Sequence, residues 1–327
     1  MKKLFRLLGY TLLLVLLLAV GYIGIHWAPD VPVDSLKARW APEPSQFMEV
    51  QGMQVHYRDQ GPREAPVLVL LHGTSASLHT WEGWVADLQR DYRVISLDLP
   101  GFGLTGPAPD GDYRLPRYSR FLAEVLDRLG VERASLAGNS FGGQVAWKFT
   151  VDHPQRVERL VLVDASGYPR ESTSVPLGFK LAGVSFLRPV MSRVLPRRLI
   201  ESSVRNVYGN PALPDEALID RYYDLARREG NRAALRARFA QYADGVDPAE
   251  IAQIKVPTLI IWGGRDQLIP PVNAEYFHRD IAGSQLVMFD DLGHVPQEED
   301  PLHTLAATRD FLAAPVHAQP LAEAPAP

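Results

Sequence analysis

Five apolar runs, each ending in a glycine-, proline- or serine-bearing turn, constrain this chain more than any other feature. They occur in "VLVLLHG", "RVISLDLPG", "RASLAGNSFGG", "RLVLVDASG" and "VPTLIIWGGRD". Each is apolar at consecutive rather than alternate positions, the mark of a strand buried on both faces. Between them lie stretches of helical spacing, such as "PRYSRFLAEVLDRLG", which stops at Gly130. Strand and helix in alternation predict an α/β fold whose mostly parallel sheet carries helices on both faces. Ahead of the series, "FMEVQGMQVHYRDQG" alternates apolar and polar residues around Gly52 and predicts an antiparallel hairpin. Behind it come a strand in "SQLVMFD", a turn in "DLGHVPQEEDP" and a helix in "LHTLAATRDFL".

The rhythm breaks between residues 168 and 247. No strand pattern appears there, only amphipathic stretches such as "DEALIDRYYDLARRE" and "NRAALRARFAQYADG", which predict a helical insertion. The core is then split into residues 47–167 and 248–313. A chain of 327 residues, 46% hydrophobic, is long enough to bury one large core with such an insertion.

At the start, Lys2, Lys3 and Arg6 precede an uncharged apolar run over residues 7–25 that would span about 28 Å as a helix. Residues 1–27 therefore read as a membrane anchor, with the basic end in the cytoplasm and the folded domain on the other side, periplasmic if the source is bacterial. The alternative is a cleaved signal peptide, with Ala19-Val20-Gly21 as its processing site and a secreted product. Residues 28–46 read as a linker or surface-hugging segment, and residues 314–327 as a disordered Pro/Ala tail. A formal net charge of −4 offers no field that would gather nucleic acid, and the absence of cysteine excludes disulfides, thiolate chemistry and cysteine-bound zinc.

The chemistry concentrates at the strand ends. "GNSFG" places Ser140 between Gly138 and Gly142, after a buried strand and before a helix, so that a nucleophile would stand on a sharp turn. A serine hydroxyl needs a base, and the base needs an orienting group. His294 and Asp266 each follow an apolar strand, and in a parallel sheet those ends share one edge. Asp164 is the second candidate acid; His153 and His278 read as surface residues. Acyl transfer also needs N–H donors for an oxyanion, and the backbone of Thr74 and Phe141 would supply them. His72 reads as a residue that shapes the Thr74 loop. "DLPGFGLTG" lacks the Gly-Lys-Ser/Thr ending of a phosphate loop and reads as a scaffold.

Taken in order, His72-Gly73, "DLPGFG", "GNSFGG", "WGGRDQLIP" and "LGHVPQEEDP" resemble the α/β-hydrolase fold family over residues 47–313. The resemblance implies an eight-stranded sheet, a helical cap at residues 168–247 inserted after the sixth strand, and a Ser140–Asp266–His294 triad in the family's chain order. Haloalkane dehalogenases and epoxide hydrolases of this fold use an aspartate where Ser140 stands, which argues against those reactions. Hydrolases that cleave carbon–carbon bonds of ring-fission products share "GNSFGG", but differ in the loop after His-Gly, here "TSAS", and in the residue after the histidine, here Val295. Cofactor-free perhydrolases share the triad. Hydrolysis of carboxylic esters, with no metal or organic cofactor, is the favoured expectation. A non-catalytic binding relic is the rival class, against which every required position is filled. The partner is a small-molecule ester, lipid-like if the apolar stretch "VPLGFKLAGVSFLRPVM" lines an acyl pocket. The basic stretch "LPRRLIESSVR" reads as a solvated helix face or as a contact with anionic headgroups.

Overall fold

Eight strands form one sheet in the order β1-β2-β4-β3-β5-β6-β7-β8 in the computed structural model, which describes residues 2–169, 172–182, 192–241 and 247–314. The strands are β1 Gln46–Val50, β2 Met53–Gln60, β3 Val67–Leu71, β4 Arg93–Leu97, β5 Ala134–Asn139, β6 Val157–Val163, β7 Thr258–Gly263 and β8 Gln285–Phe289. β1 and β2 form the expected hairpin. Gln51 and Gly52 both take positive φ, 51° and 75°, and Val50 pairs with Met53, so the two-residue turn matches the strand twist. Beyond the antiparallel hairpin, β2 runs antiparallel to β4, and the five remaining pairings are parallel.

Among the described residues the α-helices, in chain order, are α1 Lys2–Ile25, α2 Val33–Trp40, α3 Glu82–Leu88, α4 Leu115–Arg128 and α5 Phe141–Asp152, then α6 Leu177–Ala182, α7 Arg197–Val207, α8 Glu216–Ala226 and α9 Asn231–Ala240, and last α10 Val272–Asp280, α11 Pro296–Glu299 and α12 Pro301–Ala313. Consecutive apolar residues in β3 divide between the two faces of the sheet. Val69 and Leu71 pack with Tyr118 and Phe121 of α4 and Val145 of α5. Leu68 and Leu70 pack with Trp84 of α3 and Phe311 of α12. This division is the physical reason for the unbroken apolar runs, since a strand covered on both faces has no solvated side.

Helices α6 to α9 follow β6 and precede β7, in the region where the sequence predicts a helical insertion. Asp215 caps α8 by accepting the Leu218 N–H at 2.8 Å, and Gly230, at φ 86°, separates α8 from α9. Residues 183–191 of the apolar stretch and residues 315–327 of the expected tail lie outside the described residues. The stretch around His294, expected as a turn alone, contains the short helix α11.

α1 has no buried residue and, at 24 residues, extends about 36 Å, long and apolar enough to cross a membrane. The segment after it is more than a linker. Ala28 N–H donates to Arg193 O at 2.8 Å and Leu195 N–H to His26 O at 3.1 Å; Val31 N–H donates to Arg227 O and Glu229 N–H to Val31 O, at 2.7 and 2.9 Å. Arg39 of α2 reaches Asp220 and Asp224 of α8, and Leu36 is buried with Leu104 and Leu225. Eight residues with only Leu36 and Trp40 as an i,i+4 apolar pair are too few for a helical period to show in sequence.

Candidate active site

Ser140 occupies the single residue between β5 and α5, with φ 55° and ψ −116°. A serine in this region costs about 1–3 kcal/mol and persists only where neighbours fix it. Its N–H donates to Val163 O at 2.9 Å, and its carbonyl accepts from Gln144 and Ser166. The flanking glycines are required by contact: a Cβ on Gly138 would stand 2.3 Å from Gly142 O, and one on Gly142 would stand 2.1 Å from Leu71 O. The turn therefore closes backbone against backbone, with the serine at its apex.

His294 lies between β8 and α11, and its Nδ1 is 2.6 Å from Asp266 Oδ2. Asp266 follows β7, and its other oxygen accepts the N–H groups of Leu268 and Ile269 at 2.8 and 3.0 Å. The carboxylate is thereby held by three donors with both residues buried. With Nδ1 bonded to Asp266, the second nitrogen of His294 is left as the one that can exchange a proton elsewhere. Asp164 directly follows β6 beside this pair, and its Oδ1 accepts the Gly263 N–H at 3.0 Å. Burial, reinforced by the Asp266 charge, pushes the Asp164 carboxyl well above the usual carboxylate range. One ligand atom from each of Asp164, Asp266 and His294 lies within 4.8 Å of the others, which is also a spacing for metal ligands. The short bond between His294 and Asp266, both buried, favours a hydrogen-bonded pair over a cation site.

The Thr74 loop is built from the strand end beneath it. His72 is fully buried, its Nδ1 donating to Gly73 O at 2.7 Å and its Nε2 accepting the Leu99 N–H at 3.0 Å. Burial lowers its pKa, so it holds the loop as a neutral imidazole. Among the described residues, neither the Thr74 nor the Phe141 backbone N–H donates a hydrogen bond to another group. Asp98, at the start of "DLPGFGLTG", accepts from His56 Nδ1 and from the N–H groups of Leu78 and Leu104 at 2.7, 2.8 and 2.8 Å. Burial alone would raise its carboxyl, but the histidines beside it outweigh that and hold it below the usual range. This turn is a scaffold, tying β4 to the loops around Ser140.

Ser140, Thr74 and His294 open onto a cavity of about 550 Å³. Leu199, Ile200 and Val204 of α7 and Leu235 and Phe239 of α9 form much of its apolar wall. Of the basic stretch on α7, Arg197 pairs with Asp220 and Glu216 and Arg205 with Glu201, so those two charges are spent within the protein.

Two features of the site have no signal in the spacing of the sequence. Glu299 of α11 accepts the N–H groups of Gly209, Asn210 and Gly293 at 2.9, 2.7 and 2.8 Å, while His294 N–H donates to Val207 O at 2.7 Å. The loop that carries His294 is thus fastened to the end of α7, ninety positions away for the Gly209 bond. Arg238 of α9 is buried with its guanidinium carbon 3.7 Å from the centroid of the Phe141 ring, beside the Ser140 turn.

Comparison with known proteins gives three kinds of likeness. The sequence profile described as alpha/beta hydrolase fold matches residues 66–301. The 2-hydroxymuconate semialdehyde hydrolase of Pseudomonas sp. strain CF600 is 31% identical over 284 residues, 84% of this chain and 95% of that protein. An uncharacterised protein of Mycobacterium tuberculosis strain H37Rv is 30% identical over 285 residues, 83% of this chain and 82% of the relative. Among solved structures, a membrane phospholipase A described as a bacterial virulence factor superposes with a TM-score of 0.72 at 27% identity, covering 95% of this chain and 98% of its own.

Proposed function

Since the chain belongs to the alpha/beta hydrolase fold family, we propose that it is a membrane-tethered serine hydrolase that cleaves carboxylic esters with an apolar acyl group. The observation that carries this reading is the 2.6 Å His294–Asp266 bond at the same cavity as Ser140. His294 takes the Ser140 proton on its free nitrogen as Oγ attacks the ester carbonyl, and Asp266 holds the tautomer and stabilises the imidazolium. The Thr74 and Phe141 N–H groups receive the oxyanion, at the N-terminus of α5, where the helix dipole favours negative charge. The alcohol leaves with the proton from His294, and water, deprotonated by the same imidazole, then releases the acid and restores Ser140.

The apolar wall of α7 and α9 supports an acyl chain as the buried part of the substrate, with the helical insertion acting as a cap. The membrane part of the reading is supported by the length of α1 and by likeness to the membrane phospholipase A over 95% of this chain. Lys2, Lys3 and Arg6 favour a cytoplasmic N-terminus and an enzyme on the opposite side of the bilayer.

The test is hydrolysis of p-nitrophenyl esters from short to long acyl chains by the full chain and by Ser140→Ala. Turnover that the variant loses by about a thousandfold or more supports the reading, and the chain-length optimum measures the acyl pocket. A second reading, cleavage of carbon–carbon bonds in ring-fission products, is favoured by the 31% identity to 2-hydroxymuconate semialdehyde hydrolase. Absence of ester turnover, with Ser140 still labelled by a serine-reactive phosphonate, would replace the first reading by the second.

A further inference from the structure

The cavity wall carries a sign of charge that ester cleavage itself does not use. Among the described lining residues, Lys180, Arg232, Arg236 and Arg238 are cationic and none is Asp or Glu. This occurs in a chain whose formal net charge is −4. Three of the four cations come from α9, interleaved with the apolar lining residues Leu235 and Phe239. They also differ in depth. Arg238 is buried against Phe141, next to the Ser140 turn. Arg236 is half-buried and Lys180 exposed, so the positive wall extends from beside the nucleophile toward solvent. Arg232, Arg236 and Arg238 each also interact within the protein, Arg232 with Asp30 at 3.1 Å from Nε to Oδ1, and Asp30 itself does not line the cavity.

A low-dielectric cleft lined by one sign of charge concentrates ligands of the opposite sign and disfavours those carrying its own. Guanidinium groups in particular match the paired oxygens of carboxylates and phosphates. We propose that the site selects esters bearing a negatively charged oxyacid group. The acyl chain lies along the apolar face of α7, and the anion lies toward Arg236 and Lys180. This rests on the ester reading above and adds a substrate class to it. The same chemistry is available from two sources, the phosphodiester of an anionic lipid and the carboxylate of a soluble ester. A zwitterionic headgroup would bring an ammonium against Lys180 and Arg236 and lose the advantage.

The experiment uses the full chain in neutral detergent micelles and two matched substrate pairs. One is 4-nitro-3-(octanoyloxy)benzoate against 2-nitrophenyl octanoate; the other is dioctanoyl phosphatidylglycerol against dioctanoyl phosphatidylcholine. In each pair the ratio of kcat/KM, anionic over uncharged or zwitterionic, is read for the unmodified chain, Arg236→Gln, Lys180→Gln and Arg236→Glu. Reading a ratio within each variant cancels any general loss of folded protein. The expected ratio for the unmodified chain is about tenfold or more at low salt, shrinking as salt is added. It falls toward one in the neutralised variants and below one in Arg236→Glu. Preference in the lipid pair alone assigns the anion to a headgroup, and preference in the benzoate pair alone assigns it to a carboxylate on a soluble ester. A ratio near one in both pairs overturns the proposal and leaves ester hydrolysis standing. Failure to turn over any of the four esters removes the ester reading and this proposal with it.

Discussion

Asp164 shows how a residue can sit at the right strand end and still differ in state from its neighbour. Asp266 is held by His294 and two backbone donors, whereas Asp164 has one N–H donor on Oδ1 and, among the described residues, no partner for Oδ2. It faces Asp266, His294 and Glu299; burial raises its pKa most, and the negative charges of Asp266 and Glu299 add to the effect. Its folded form therefore keeps a proton that the unfolded chain releases near the ordinary value of 3.8. Below that value both states are protonated and its contribution is complete; as pH rises toward the folded value, the contribution is progressively lost. Asp164→Asn keeps the shape and tolerates the left-handed φ of 45°. The variant is expected to gain stability relative to the parent as pH rises from 4 to 8 in urea denaturation. A constant difference across that range would mean that Asp164 ionises normally. Ser140, Asp266 and His294 were legible in the sequence because each follows a strand, and strand ends share an edge. Glu299 and Arg238 were not, because only tertiary packing brings them to the His294 loop and to Phe141.

At the scale of elements, the end of α7 and the loop before α11 behave as one unit. A Cβ on Gly293 would stand 2.4 Å from Gly209 N and 2.5 Å from Val207 O, so the two backbones touch where His294 leaves the sheet. Gly293→Ala must push them apart. The expected cost is about 1–3 kcal/mol of stability, with a larger fractional loss of ester turnover than of folded protein, measured by melting and by kcat on the same preparation. An unchanged kcat would show that the loop can shift without moving the imidazole. The core strands, the hairpin and the insertion helices α8 and α9 follow from apolar periodicity and from Gly and Pro punctuation. α2 did not, since its stability comes from Leu36 packing on Leu104 and Leu225 and from Arg39 on α8, none of which is local.

For the whole molecule, alternation of strand and helix was enough to give the α/β sheet, and the glycine-flanked serine was enough to give its edge. The volume of the cavity and the sign of its wall were not readable, because both depend on how α6 to α9 lie over that edge. The pairing of residues 26–31 with Arg193, Leu195 and Arg227–Glu229 has a preparative corollary. A hydrophobic leader is commonly removed up to the first residue of the recognised domain, which here would mean cutting near residue 47 or 66. Such a cut strips away the strand-like pairing, the Asp30–Arg232 bond and all of α2. A shortened chain that begins at His26 is expected to melt with the full-length protein, and one that begins at residue 47 to melt lower by about 4 °C or more. Equal melting of the two would show that the pairing is dispensable. The useful start of a shortened chain is therefore set by what the segment after α1 is hydrogen-bonded to, twenty residues before the sheet begins.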